Sequence, residues 1–129
     1  MATMNDIRTW LTSNNKKFEI MDDGELRFLW GFEDGRSQLG FLYQANDFLV
    51  ARSPIGPYTA AKADAIFKAV AQGTSGPFGV SVDPDCSIFF LMVAMPLLNL
   101  DENELALAIE ALPMFADEME KAVFGVDTF

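Results

Sequence analysis

The feature that most constrains the fold is a run of period-two alternation that tight turns interrupt twice. Large apolar side chains occupy every second position of residues 26–32, which is typical of a β-strand with one buried face. Asp34 and Gly35 form a hairpin turn, and residues 37–43 return as a second strand. Asn46 and Asp47 turn the chain again before a strand at residues 48–52. With a short extended stretch at residues 18–21, these segments predict an antiparallel meander.

Helices are predicted on both sides of this meander in the sequence. Asn5 caps a short first helix, and Thr59 caps a second helix that ends near Gly73. Residues 53–57, with two prolines and a glycine, favour a loop. Residues 78–82 then alternate, and residues 88–95 are apolar at both alternating sets, which predicts a central strand covered on both faces.

The last third of the sequence is one long amphipathic helix. Asp101 and Glu104 stand at capping-box distance at its start. Pro113 interrupts the pattern and predicts a kink. The buried seam comprises Leu105, Ile109, Leu112, Ala116, Met119 and Val123. The opposite, solvated face is expected to carry Glu102, Glu110, Asp117, Glu118 and Glu120.

Taken in order, these elements predict an α+β fold, α-β-β-β(-β)-α-β-β-α, with helices packed on an antiparallel sheet. A length of 129 residues fits a single domain spanning residues 1–129. No apolar run reaches the length of about 20 residues that a membrane span needs. The single cysteine, Cys86, excludes a disulfide within the chain and fits a reducing compartment, so we expect a cytoplasmic protein.

Histidine is absent, which removes most ordinary active sites. One cysteine without histidine cannot form a soft metal site either. The glycine-rich residues 73–79 lack the lysine of a phosphate loop, and Asp83 and Asp85 lack the remaining ligands of a calcium loop. We therefore predict no catalytic residues, no cofactor and no metal. An enzymatic alternative would need two carboxylates converging in a closed pocket, with the pKa of one of them raised.

The charge limits the class of partner. Nineteen acidic residues against nine basic ones give a net charge of −10 and a pI near 4.2. Nucleic-acid phosphates and anionic membranes repel such a domain, whereas basic or apolar polypeptide segments are suitable partners. The alternative is that the acidic residues only keep the protein soluble.

The predicted sheet carries more apolar surface than three helices can cover. Leu29, Leu39, Leu42 and Phe89 fall among positions opposite the main core faces. A large uncovered apolar patch usually marks an interface. Self-association as a homodimer is the simplest way to cover it.

Several turns and apolar stretches, in this order, resemble those of a known superfamily. They are residues 34–38 (DGRSQ), 53–56 (SPIG), 78–83 (FGVSVD), 95–97 (MPL), 116–120 (ADEME) and 124–127 (FGVD). Together they resemble the YbjN-like proteins and the related type III secretion chaperone superfamily of the CesT/SycE type, over roughly residues 5–127. The turn at residues 35–38 and the pattern at residues 116–120 favour the YbjN-like branch.

The resemblance implies a curved antiparallel sheet with helices packed on it, usually in a dimer. It also implies that an extended effector segment is bound without ATP, as secretion chaperones do, or a regulatory role, as described loosely for YbjN-like proteins. It supplies no catalytic residues. We therefore predict a non-enzymatic module, either a YbjN-like regulator or a chaperone-type protein. The alternative is a type III secretion chaperone that binds an extended effector segment. The predicted contacts are Leu29, Leu39, Phe41, Phe89, Leu91 and Met95.

Overall fold

The computed structural model describes residues 1–126 and 128–129. The elements are α1 (Met4–Ser13), β1 (Glu19–Ile20), β2 (Leu26–Gly31), β3 (Ser37–Ala45), β4 (Phe48–Pro57), α2 (Ala60–Ala71), β5 (Gly79–Asp83), β6 (Ile88–Pro96), α3 (Glu102–Ala106), a π-helical turn (Leu107–Ala111) and α4 (Leu112–Val123). Within the described residues, six strands form one antiparallel sheet in the order β1-β2-β3-β4-β6-β5. The predicted α+β class and element order are confirmed.

The helices pack on one face of the sheet, which we call the inner face. Cross-strand neighbours such as Leu26 and Leu42 point to this face and are fully buried. Every residue of the predicted helical seam is also buried in this core. Leu42 was expected on the opposite face, and that expectation was wrong. Its pairing with Leu26 and Ala51 places it on the inner face.

The helix starts agree with the capping pattern, with one exception. Thr59 accepts a hydrogen bond from the Lys62 N–H, as a capping residue does. Asp101 and Glu104 form the predicted capping box. The first helix begins earlier than expected, because Thr3 rather than Asn5 is its N-cap.

Residues 53–57 form the end of β4 instead of the predicted loop. The ladder with β6 continues through them, with a bulge between Pro54 and Gly56. The bulge accommodates the two prolines, which cannot donate to a regular ladder. At Gly56 the ring of Phe124 occupies the space that a side chain would need, so the strand and the end of the last helix approach closely.

Pro113 is accommodated by the π-helical turn that precedes it. The Leu112 N–H bonds to the carbonyl of Leu107, five residues earlier, instead of four. This wider turn is the local response to a proline that cannot donate to the carbonyl of Ile109. The apolar seam continues through the turn, so the helical layer covers the inner face along its length.

Candidate partner-binding surface

The face of the sheet that points away from the core is also largely apolar. The ladder register places Leu29 opposite Leu39, Arg27 opposite Phe41, and Phe41 opposite Arg52 on this side. We call it the outer face. Its further apolar members are Tyr43, Ala45, Phe48, Val50, Pro54, Ile88, Phe90, Met92 and Ala94. The sheet is thus apolar on both faces, but the core cluster formed with the helices lies on only one of them.

Three of the predicted contact residues lie together on the outer face. Leu29 has 64% of its surface exposed, and Leu39 and Phe41 are half-buried. A groove of about 470 Å³ runs beside them, lined by Lys17, Phe18, Glu19, Arg27, Phe28, Leu29 and Leu39. The groove therefore combines an apolar floor with charged side chains of both signs at its rim.

The other three predicted residues, Phe89, Leu91 and Met95, are buried in the core, and their assignment to a contact surface is corrected. The β4–β6 register pairs Met95 with Leu49 and Leu91 with Ser53, on the helix-covered side. Both alternating sets of β6 are apolar, so the sequence does not show which set points inward. The outward set includes Phe90 and Met92, each one position away from a predicted residue.

Arg52 is the charged centre of the outer face. Its Nη1 lies 2.9 Å from an Asp83 carboxylate oxygen, and its guanidinium stacks 4.2 Å from the centre of the Phe90 ring. The hydrogen bond from Arg52 lowers the pKa of Asp83, and the Asp85 N–H lowers it further. Because the cation is paired and stacked, it interrupts the apolar face without leaving an isolated charge.

The edge of the sheet beside Leu29 is open. β1 consists of two residues and pairs only with Leu26 and Arg27 of β2. In the described part of the chain, no strand pairs with the remaining edge of β2, from residue 28 to residue 31. Free main-chain groups on an edge are able to pair with a strand of another polypeptide.

Two carboxylates predicted on the solvated face of the last helix are buried instead. Asp117 lies 2.8 Å from Nε of Arg36, and a Glu120 oxygen lies 3.7 Å from Nη2 of the same guanidinium. Glu120 is fully buried. Periodicity alone could not reveal them, because their partner Arg36 is distant in sequence, 81 residues from Asp117, and sits in the β2–β3 hairpin turn.

A third acidic side chain, Glu25, lies in a cleft of about 600 Å³ with Met4, Arg8, Asp23, Tyr43 and Arg52. Burial raises the pKa of Glu25; the positive charge of Arg52 opposes this shift, while Asp23 adds to it. The cleft thus brings two carboxylates together with the pKa of one of them raised, as the enzymatic alternative requires. It is open to solvent, however, and not the closed pocket that this alternative also requires.

Within residues 1–126 and 128–129, His, Cys, Asp and Glu side chains do not gather into a metal-binding group. None of the helices in the described part of the chain has the length and apolarity that a membrane span requires.

Comparison with known proteins gives matches in structure but not in sequence. No protein-family model matches the chain, and no curated protein is similar to it. A chain of the HopA1–SchA chaperone–effector complex superposes with a TM-score of 0.62 at 12% identity, over 95% of this chain and 100% of that chain. A chain of the heterodimeric ExoU–SpcU complex, from the type III secretion system of Pseudomonas aeruginosa, superposes with a TM-score of 0.62 at 10% identity. That match covers 93% of this chain and 99% of the other. The chain therefore has a type III secretion chaperone-like fold.

Proposed function

We propose that this protein is a non-enzymatic binding module of the chaperone type, whose outer face holds a partner polypeptide. The observation that carries the proposal is the apolar outer face with Leu29 exposed beside an open strand edge. An extended segment placed there buries Leu29 and Leu39 and pairs with the free main chain of β2. The two structural neighbours support a protein partner, since both come from complexes of two different proteins.

The charge favours an apolar segment with basic flanks as the ligand, since the chain carries −10. An extended effector segment, as bound by a secretion chaperone, is one such ligand. A folded protein bound by a YbjN-like regulator is the alternative. A synthetic peptide from the partner's contact region distinguishes them, because a chaperone's extended target binds as an isolated peptide and a folded epitope does not.

The direct test is a pair of matched variants. Leu29 and Leu98 are exposed to 64% and 63%, but Leu98 lies in the turn between β6 and α3. We expect the Leu29→Ser/Leu39→Ser variant to bind the native partner at least about tenfold more weakly, and Leu98→Ser to bind it normally. The partner is first identified by mass spectrometry after purification from the native host, and its affinity is then measured by calorimetry. Equal affinities for the two variants would refute the outer-face assignment.

We further propose a homodimer and a cytoplasmic location. Apart from the outer face, α2 exposes Phe67 and Val70, and the edge strand β5 exposes Val82, so apolar surface remains for a second copy. Cys86 is an exposed free thiol, which fits a reducing compartment. Light scattering at several concentrations tests the dimer, and a constant monomer mass would exclude it.

A minor alternative is carboxylate-based catalysis by Glu25, which shares its cleft with Asp23. Burial raises the pKa of Glu25, but the cleft is open and is not the closed pocket that this alternative requires. A hydrolase screen that compares the unmodified protein with Glu25→Gln tests it. Activity lost in Glu25→Gln would support the alternative and contradict a purely binding role.

A further inference from the structure

Three residues near the end of the chain, Val126, Thr128 and Phe129, bond through main-chain atoms to Arg36, Leu39 and Glu120. We call Val126, Thr128 and Phe129 the return segment. The Arg36 Nη2 donates to the carbonyl of Val126 at 2.7 Å. One carboxylate oxygen of Glu120 accepts from the N–H groups of Thr128 at 3.0 Å and Phe129 at 3.3 Å.

The return segment lies at a gap in the ladder between the two central strands, β3 and β4. The β3–β4 ladder stops at the pair Phe41–Arg52, because the next stretch of β4 contains Pro54 and the bulge. The Leu39 N–H is left without a partner in β4 and donates instead to the main-chain oxygen of Phe129 at 3.0 Å. The Leu39 carbonyl accepts from the Ser53 hydroxyl, so both main-chain groups of Leu39 are satisfied from outside the ladder.

The hydrogen bonds that Val126, Thr128 and Phe129 make in this gap come from their main-chain groups. Arg36 and Leu39 donate to the main-chain oxygens of Val126 and Phe129, and Glu120 accepts from two N–H groups. Val126 and Thr128 expose their side chains to solvent. Peptide groups are common to every polypeptide apart from proline's missing N–H, so these hydrogen bonds do not depend on the identity of the side chains at residues 126, 128 and 129.

We propose that Arg36, Leu39 and Glu120 form a binding site for main-chain groups, which we call the slot. The return segment occupies this site and can be displaced by another polypeptide. The ligand class is an extended polypeptide of about four residues. Asp117 is a positioning residue, since it fixes Arg36 through its Nε. The slot deepens the proposed function and rests on it: Leu39 also presents its side chain on the outer face, so a partner segment lying there is adjacent to the slot.

The buried charge of Glu120 explains why the slot exchanges one bound segment for another instead of remaining empty. Glu120 is fully buried, so removal of the Thr128 and Phe129 N–H donors costs its carboxylate two hydrogen bonds that water does not readily replace. An incoming main chain supplies the same donors and removes that cost. The tethered segment competes at an effective concentration in the millimolar range, so it must be weakened before a free peptide binds readily.

The test uses the full chain with a Thr128→Pro substitution. Proline has no N–H, so this variant loses one donor to Glu120, whereas the control Thr128→Ala keeps it. The probes are the capped peptide Ac-Val-Asp-Thr-Phe-NH₂, its shuffled form Ac-Asp-Phe-Val-Thr-NH₂, and the first peptide N-methylated at Thr and Phe. Binding is followed through the Leu39 amide resonance in ¹H–¹⁵N spectra.

We expect Thr128→Pro to bind both unmethylated peptides with affinities within about threefold of each other, and at least about tenfold more tightly than Thr128→Ala does. N-methylation should weaken binding at least about tenfold, because it removes the donors to Glu120. A folded Thr128→Pro variant that binds neither peptide, or binds only the original order, overturns the slot.

If Thr128→Pro does not fold, the unmodified chain decides the question. With the peptide at about 5 mM, the Thr128 and Phe129 amide resonances should move toward the positions of an unstructured chain. Unchanged resonances would overturn the proposal. These measurements need no native partner, so the slot can fail while the Leu29→Ser/Leu39→Ser result stands, and the reverse also holds.

Discussion

The two faces of the sheet are built from the same alternating apolar pattern but differ in what covers them. On the inner face, Leu42 and Leu91 are fully buried beneath the helices. On the outer face, Leu29 is largely exposed and Leu39 is half-buried, although Leu29 and Leu42 lie on neighbouring strands. The hydrophobic effect therefore stabilises the monomer mainly through the inner face. On the outer face Val50 and Phe90 are also buried, but Leu29 and Leu39 leave apolar surface for association. Substitutions on the two faces should separate stability from binding.

The largest loss of stability is expected for a substitution in the buried ion-pair cluster on the inner side of the sheet. Arg36→Met removes the cation that compensates Asp117 and Glu120, which are both buried. Breaking a buried ion pair by removing one partner costs about 3–5 kcal/mol. Urea unfolding followed by circular dichroism measures this free energy. A loss below about 1 kcal/mol would show that solvent reaches the carboxylates and that this region is less covered than the structure indicates.

The next prediction compares one leucine from each face. Leu91→Ala should lower the free energy of unfolding by about 2–5 kcal/mol, because it leaves a cavity in a packed core. Leu29→Ala should lower it by no more than about 0.5 kcal/mol in the monomer. Both are measured by urea unfolding at low protein concentration. A large loss for Leu29→Ala would mean that another molecule, such as a second copy, already covers the outer face.

The sequence predicts the order and type of the helices and strands better than it predicts which alternating set of side chains in a strand points into the core. The meander turns at Asp34–Gly35 and Asn46–Asp47, the capping box at Asp101 and the seam of the last helix are all determined by neighbouring residues, and the structure confirms them. Local patterns suffice there because each depends on residues within one turn of a helix or hairpin.

Where the outcome depends on distant residues, the sequence pattern fails. The inward set of β6 is fixed by its register with β4, and Phe89, Leu91 and Met95 were therefore assigned to the wrong face. Asp117 and Glu120 follow the polar side of the helix pattern, yet Arg36 draws them into the interior. Of the candidate surface, Leu29, Leu39 and Phe41 are placed on the outer face, and their role in binding remains a prediction.

A smaller effect concerns the ion pair on the outer face. The hydrogen bond from Arg52 lowers the pKa of Asp83 in the folded protein, so ionised Asp83 contributes stability above its unfolded value of 3.8. That contribution is lost as the pH falls from 3.8 through the lower, folded pKa. Asp83→Asn should therefore be less stable than the unmodified protein at pH 7, and the two melting temperatures should converge in acid. A difference independent of pH would indicate that the pair is only a packing contact.

The smallest expected effect is a gain in stability instead of a loss. It concerns Glu25 on the outer side of the sheet, which differs from Glu120 on the inner side. Glu120 is buried with main-chain donors, whereas Glu25 has a buried oxygen without a hydrogen-bond partner in the described part of the chain. Burial raises the pKa of Glu25, so ionisation above that pKa destabilises the folded state, and the penalty is absent below the unfolded value of 4.5.

Glu25→Gln should therefore raise the free energy of unfolding at pH 7 by at most about 0.5 kcal/mol, because the group is partly exposed. The gain should disappear as the pH falls below 4.5. Thermal melts across this pH range measure the difference, with Asp22→Asn as an exposed control. Destabilisation at pH 7 would mean that Arg52 stabilises the Glu25 carboxylate as well as that of Asp83.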